Sequence, residues 1–183
     1  MKKILKINLL SLFFGFGFAE AKALESCLNI PENPPTGLEC VTSQGVVFKR
    51  VEVPSLGWQV QAKSRTTIWL DPTRWTETQQ EAKEYCEKLG FLLPSREDFL
   101  ELRSYFEMDR RYPEYTQLGS LESCRLFECK TITQQWLWSR TLGDFYYFGF
   151  HLPTGYIDDW HRGRSYHYSA KCILVVGPHS FSN

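Results

Sequence analysis

The sequence predicts an α+β fold that is stapled by disulfide bonds, and three observations carry this prediction. Two amphipathic helical segments follow one another between residues 76 and 106. Segments rich in β-branched and aromatic residues, typical of strands, lie on both sides of these helices in the chain. Six cysteines supply the cross-links, and all of them follow an apparent export signal.

The beginning of the chain, residues 1–23, is predicted to be a secretory signal peptide. Lys2, Lys3 and Lys6 form a positive region, Leu9–Phe18 is an apolar run of ten residues, and the segment ends in Ala-Lys-Ala, a small-x-small cleavage site. A membrane-spanning helix needs about 20 apolar residues. We therefore expect a secreted or periplasmic protein without a membrane span after cleavage; a retained anchor is the alternative.

The chain after the signal has the length of a single domain. We expect an N-terminal extension over residues 24–57, a main domain over residues 58–177 and a short tail over residues 178–183. Signal removal leaves 17 Lys and Arg against 20 Asp and Glu, a formal charge of −3. This balance argues against a nucleic-acid partner, so any basic site has to be a local patch.

Strands are predicted before and after the helical region. The segments with strand character are Val46–Val53, Trp58–Ala62, Arg65–Leu70, Trp136–Thr141, Phe145–Leu152, Tyr156–Trp160 and Tyr166–Val176. Between the helices and the later strands, residues 107–134 are polar and irregular. A loop of this length in a compact domain is usually functional or disordered.

Each of the two predicted helices carries its own start signal. Thr76 to Gln79 fits a capping box for the first helix, which should end at Gly90. Ser95 is the predicted cap of the second helix, with acidic residues in its first turn. The charged run Arg96–Glu114 is interpreted as a solvated helix face.

The six cysteines are expected to form three disulfides. Fifteen pairings are formally open, and a zinc site is disfavoured because no C-x-x-C knuckle is present. Close spacing favours two local pairs, and the remaining two cysteines lie on the first helix and the last strand. The predicted pairs are Cys27–Cys40, Cys124–Cys129 and Cys86–Cys172.

The order of several short motifs resembles a bacterial branch of the C-type lectin-like domains. A helix carrying Ala82-x-x-Tyr85-Cys86 runs into Leu93-Pro94-Ser95, and Trp138-Ser139-Arg140-Thr141 and Lys171-Cys172-Ile173 follow in the order of that family's strands. The resemblance covers roughly residues 60–176. It departs at several positions, which we expect to be exposed or variable: Phe91, Leu92, Ser95, Arg140 and Lys171.

The resemblance implies a C-type lectin-like fold, with two helices packed on a small, mostly antiparallel sheet and long loops that present a binding surface. Members of this branch form the terminal domains of collagen-like adhesins, which bind glycans. More distant relatives include the formylglycine-generating enzymes. Because one fold supports many functions, the site itself has to decide the function.

The best candidate binding site is the stretch from Trp160 to Tyr168, which combines arginines, histidines and aromatic residues. Arginine forks bind sulfate or carboxylate, and aromatic faces stack on sugar rings. The candidate ligand-binding residues are Trp160, Arg162, Arg164, Tyr166 and His167. The same residues also fit a polar hairpin whose arginines pair with neighbouring carboxylates.

Asp158 and Asp159 are the candidate metal ligands, because adjacent carboxylates supply hard oxygens to calcium. Calcium needs six to eight oxygen ligands, and a charged turn or strand edge explains the pair equally. No other cofactor is implied by the residues.

The sequence as a whole predicts a non-catalytic recognition domain for a carbohydrate or an anionic surface polymer, similar to an adhesin. It contains no recognisable nucleophile motif, and every cysteine is expected to be paired, so we do not expect an enzyme. The alternative is an envelope protein–protein interaction module whose contacts lie in the loop at residues 107–134.

Overall fold

The computed structural model consists mainly of one large β-sheet flanked by short helices. It describes residues 23–52, 55–61, 65–106, 122–127, 136–143, 147–158 and 168–176. The predicted signal peptide therefore lies outside the described residues. None of the helices in these ranges is long and apolar enough to cross a membrane.

Nine strands within the described ranges form a single sheet in the order β1-β2-β3-β4-β5-β9-β6-β7-β8. Their bounds are Glu25–Ser26 (β1), Glu39–Val41 (β2), Val47–Glu52 (β3), Leu56–Gln61 (β4), Thr66–Thr76 (β5), Trp136–Leu142 (β6), Tyr147–His151 (β7), Tyr156–Asp158 (β8) and Tyr168–Val176 (β9). The sheet is mixed, because β1 is parallel to β2 and β6 is parallel to β9, whereas the other neighbours are antiparallel.

Three helices are described: α1 (Gln79–Lys88), α2 (Arg96–Ser104) and α3 (Glu122–Phe127). The amide of Glu81 donates to the hydroxyl of Thr78, so the cap of α1 lies two residues beyond the predicted Thr76. Thr76 is unavailable because it still pairs with β9 as the last residue of β5. The predicted end at Gly90 is confirmed by its positive φ of 78°.

The predicted cap of α2 at Ser95 is confirmed, and Ser95 and Asp98 form a reciprocal capping box. The Asp98 amide donates to the Ser95 hydroxyl, and the Ser95 amide donates to the Asp98 carboxylate at 2.7 Å. The third helix was not expected, because the sequence suggested only irregular structure across this part of the chain. Within it, Glu122–Phe127 is helical, and nearly all of its residues are buried.

The sheet is covered on both faces, so its central strands are buried on both sides. Ala170 and Cys172 of β9 face α1 in one apolar cluster, whereas Ile173 joins the other cluster, with Phe99 of α2 and Phe127 of α3. Successive residues of a strand point to opposite faces, which explains this division. The first six residues of β9 are therefore all buried, and they do not alternate between buried and exposed positions.

A buried cationic side chain lies on the central strand. Lys171 is 1% exposed, and its ammonium group donates to the Asp71 carbonyl and the Thr73 hydroxyl at 3.4 Å while lying 5.1 Å from the Phe127 ring. The position is therefore buried rather than exposed. A register shift in β5 between Trp69 and Thr73 places these oxygens beside the lysine.

The predicted N-terminal extension belongs to the same sheet. Strands β1 to β3 continue it outward from β4, and the boundary expected after residue 57 falls inside β4. Helix α3 is hydrogen-bonded to this region. The amide and hydroxyl of Ser43 donate to the Glu122 carboxylate, and Arg125 donates to the Ile30 carbonyl at 2.7 Å.

Two disulfides join described residues, and both are among the predicted pairs. Cys27–Cys40 closes a local loop with a Cα–Cα distance of 5.0 Å, and Cys86–Cys172 ties α1 to β9 with a Cα–Cα distance of 5.4 Å. Cys124 is also disulfide-bonded. Its predicted partner, Cys129, lies outside the described residues.

The fold class predicted from the sequence is wrong. A C-type lectin-like fold would place two helices on a small sheet, whereas the described chain forms a nine-stranded mixed sheet with three short helices. The difference has a physical origin. The N-terminal strands add to one side of the sheet, and β5 continues past its predicted end at Leu70 to Thr76 because β9 pairs along its length.

We predict that the two disulfides contribute unequally to stability. Replacing Cys86 and Cys172 by Ala should lower the free energy of unfolding by about 4–5 kcal/mol, and replacing Cys27 and Cys40 by about 3 kcal/mol, because the longer loop restricts the unfolded chain more. Urea unfolding of both variants measures this. A larger loss from the local pair would contradict the role assigned to the long-range link.

Candidate functional site

A groove with a volume of about 320 Å³ lies between α2 and the β7–β8 hairpin. One wall is a face of the helix and the other is the hairpin with its turn. The described residues that line it are Arg96, Leu100, Arg103, Phe148, Gly155, Tyr156 and Ile157. The groove therefore combines two cationic side chains with apolar and aromatic surface.

The helical wall follows from the spacing of its residues. Arg96, Leu100 and Arg103 recur at i, i+4 and i+7, so they form one stripe along α2. Phe99 and Leu102 lie to one side of this stripe and are buried in the core. Burial of that apolar face sets the rotation of the helix and turns the arginine stripe towards the hairpin.

Arg96 is held at one end of the groove. Its backbone amide donates to the Thr141 hydroxyl at 2.9 Å, and its guanidinium lies 5.2 Å from the centre of the Phe148 ring. The ring face favours a cation in this position. The buried Nε atom has no hydrogen-bond partner among the described residues.

Arg103 lies two turns further along the same helix. A terminal guanidinium nitrogen is 3.5 Å from the Gly155 carbonyl, at the limit of a hydrogen bond. This contact places the side chain beside the turn between β7 and β8. The two arginines are seven positions apart in the sequence, so their backbone positions lie about 10 Å apart along the helix axis.

Two of the three acidic side chains of α2, Asp98 and Glu101, form ion pairs, whereas the third, Glu97, is exposed. Asp98 is 1% exposed and binds the guanidinium of Arg65 at 2.6 Å, and Glu101 binds the same guanidinium at 2.6 Å. Arg140 lies 3.8 Å from the other Asp98 oxygen. These ion pairs offset the negative charge of the helix, and neither carboxylate lines the groove.

A buried histidine supports the turn that forms one wall. Nδ1 of His151 lies 2.7 Å from the Thr154 hydroxyl, which also accepts from the Tyr156 amide, and the Gly155 amide donates to the His151 carbonyl at 2.8 Å. The ring packs against Trp136 with 4.8 Å between centroids. Burial lowers the pKa of His151 to about 4, so the imidazole is neutral at pH 7.

Most residues of the binding stretch predicted from the sequence cannot be placed relative to this groove. Trp160, Arg162, Arg164, Tyr166 and His167 lie outside the described residues, as does the candidate metal ligand Asp159. The other candidate ligand, Asp158, ends β8 opposite Gly149 and is half-buried. In the ranges the structure covers, no group of three or more His, Cys, Asp or Glu side chains could hold a metal ion.

The sequence interpretation missed the groove residues. Arg96 and Arg103 were assigned to a solvated helix face, and Phe148 and Tyr156 were assigned only to strands. The available signal was the recurrence of Arg96, Leu100 and Arg103 on one stripe. What the stripe faces is set by a hairpin about 50 residues further along the chain, which helical periodicity does not reveal.

Comparison with known protein families, curated proteins and solved structures found no match to this chain. The resemblance to the C-type lectin-like family therefore gains no support from them. The function has to be argued from the groove and its residues.

We predict that His151 makes the folded state sensitive to mild acid. The unfolded histidine has a pKa near 6.5 and the folded one near 4, so its stabilising contribution is complete above pH 6.5 and is lost as the pH falls towards 4. The full loss amounts to about 3.5 kcal/mol, because a pKa difference of about 2.5 corresponds to about 1.4 kcal/mol per unit.

Urea unfolding at several pH values between 7 and 5 measures the effect. His151→Gln should flatten the dependence of the free energy of unfolding on pH in this range, even though the substitution itself lowers stability at pH 7. His179→Gln, in the predicted C-terminal tail, serves as the control and should keep the wild-type slope. Equal slopes for wild type and His151→Gln would refute the assignment.

Proposed function

We propose that this protein is an exported, non-catalytic recognition domain that binds a carbohydrate or an anionic surface polymer in the groove between α2 and the β7–β8 hairpin. One observation carries the proposal: Arg96 and Arg103 flank an apolar and aromatic surface inside one open groove. The disulfides of the described domain suit an oxidising compartment such as the periplasm or the cell exterior.

The lining residues match the two chemical features of an anionic sugar. The guanidinium groups present planar forks of donors that bind carboxylate or sulfate oxygens bidentately. Leu100, Phe148 and Ile157 offer apolar surface to the C–H face of a sugar ring.

The predicted binding stretch directly follows two groove-lining residues in the sequence. Tyr156 and Ile157 of β8 line the groove, and the chain passes from Asp158 directly into the segment that contains Trp160 and Arg162. We propose that this segment adds further basic and aromatic contacts to the ligand. Asp158 and Asp159 remain the candidates for a calcium contribution to binding.

A role in recognition also agrees with the use of the carboxylates beside the groove. Asp98 caps α2 and pairs with Arg65, and Glu101 pairs with the same arginine. These bonds give both carboxylates a structural role, and neither of them lines the groove.

We predict that Arg96→Ala weakens binding to a sulfated or uronic-acid polysaccharide about tenfold, because one charge-assisted contact is worth about 1.4 kcal/mol or more. The matched control is Arg74→Ala. Arg74 also lies 5.2 Å from an aromatic ring, that of Tyr85, but it does not line the groove. A glycan array followed by titration calorimetry on the oxidised protein measures both variants.

The same array tests the alternatives. Binding that a chelator abolishes would assign calcium to Asp158 and Asp159, and calcium-independent binding would leave the arginines as the main anchors. Equal loss in Arg74→Ala would place the site elsewhere. If no glycan or anionic polymer binds, the proposal fails and the protein–protein interaction module becomes the better explanation.

A further inference from the structure

We infer that the turn and β8, residues 153–158, form an acid-sensitive wall of the groove. This wall detaches from β7 more readily in mild acid, because of His151, and only the attached wall binds the ligand. The part that concerns the ligand rests on the proposed function, whereas the detachment of the wall does not.

His151 lies among the hydrogen bonds that shape the turn. Its Nδ1 atom is 2.7 Å from the Thr154 hydroxyl, and that hydroxyl accepts from the Tyr156 amide at 3.3 Å. The Gly155 amide donates to the His151 carbonyl at 2.8 Å. His151 is 1% exposed and Thr154 is 0% exposed. A charge on the ring would therefore arise away from bulk water, at the point where the chain turns from β7 into β8.

The same turn forms part of the groove. Gly155, Tyr156 and Ile157 line the groove opposite α2. Detachment of residues 153–158 would remove these three residues and leave a more open surface. A ligand that contacts both walls therefore favours the attached state.

The wall is attached more weakly than the sheet beside it. Strand β8 ends the order of the nine described strands and pairs with β7 at three positions, and its residues are half-buried. By contrast, Phe150 of β7 is 0% exposed and stacks on Phe99. No cysteine occurs between residues 136 and 158, so no disulfide holds the wall directly. A short edge strand of this kind opens at a smaller cost in free energy than the whole sheet.

The ring of His151 packs against Trp136 of β6, and Tyr156 is its partner on β8. The charged and titratable groups that the described elements around this position carry are Tyr147 on β7, Tyr156 and Asp158 on β8, Arg140 on β6, Glu122 and Arg125 on α3, and Arg103 beside the turn. Burial is the cause that lowers the pKa of His151.

The direction of the acid effect follows from the two environments of the ring. Detachment exposes the ring to water, where its pKa is near 6.5, whereas burial lowers the pKa to about 4 in the attached state. The neutral ring favours the attached wall, and a proton on the ring favours the detached one. The equilibrium constant for detachment should therefore rise about twentyfold between pH 7 and pH 5.

Amide hydrogen exchange on the oxidised protein at pH 7 and pH 5, corrected for the intrinsic effect of pH on exchange, measures the detachment. The amides of Gly155 and Tyr156 should lose about twentyfold in protection, and their exchange should depend weakly on urea because little surface is exposed. The amides of β5 and β9 should be better protected at both pH values and depend steeply on urea. Equal protection and equal urea dependence in both regions would overturn the inference, because the sheet would then open as one unit.

Three variants assign the pH dependence to its group. His151→Gln should abolish it. Thr154→Val removes the hydroxyl but keeps the histidine, so it should lower protection at pH 7 and keep the dependence on pH. Asp158→Asn, the matched control on the same strand, should also keep it. A twentyfold change that survives in His151→Gln or disappears in Asp158→Asn would refute the role of the histidine. If His151→Gln does not fold, the wild-type comparison and Asp158→Asn carry the test.

Heparin, added at pH 5, separates this inference from the proposed function. At ten times its dissociation constant it should raise the protection of the Gly155 and Tyr156 amides about tenfold, because it binds only the attached wall. Heparin that binds without changing this protection would overturn the link between the wall and the ligand. If neither heparin nor another anionic polymer binds, the proposed function fails, whereas the acid response measured without ligand still stands or falls by itself.

Discussion

The antiparallel pairing of β5 with β9 joins the early and late parts of the chain at the centre of the sheet. It runs from Thr66 opposite Val176 to Thr76 opposite Tyr168. On one side, β4 and the N-terminal strands continue from β5. On the other, β6 joins β9 in parallel at Leu137 and Ser169, and the β7–β8 hairpin follows. Both walls of the groove depend on this central pair.

The groove has its shape because the segment between α1 and α2 is attached to the same strands. Leu92 exchanges backbone hydrogen bonds with Ile173 of β9, and the Arg140 amide donates to the Pro94 carbonyl at 2.8 Å. The Cys86–Cys172 disulfide bonds α1 to β9. Together these contacts hold α1, the segment and the start of α2 against β9 and β6. The cationic stripe therefore meets the hairpin at a defined distance.

The parts of the structure that local chemistry determines could be predicted from the sequence. The capping box at Ser95, the helix end at Gly90 and the core of most strands depend on residues within a few positions, and the structure contains them. The start of α1 was misplaced, because a partner 92 residues away keeps Thr76 in a strand. The size of the sheet was misjudged for the same reason.

The candidate site shows the same limit. The sequence pointed to arginines beside aromatic residues, but at Trp160–His167, outside the described residues, and it assigned Arg96 and Arg103 to a solvated helix face. The location of the groove was not within reach of the sequence, because the groove exists only where α2 and the β7–β8 hairpin approach each other. The burial of Lys171 was equally hidden, since a bulge in another strand supplies its oxygen partners.

The position of β9 in the chain has a consequence for the route to the folded state. This strand is the last one described, yet it lies inside the sheet between β5 and β6. As the ribosome synthesises the chain from its N-terminus, β5 can form only its contact with β4, and its other edge remains open until β9 has emerged. Such long-range closure is slow. Until β9 pairs with it, β5 presents an open strand edge, the kind of surface on which partly folded chains associate.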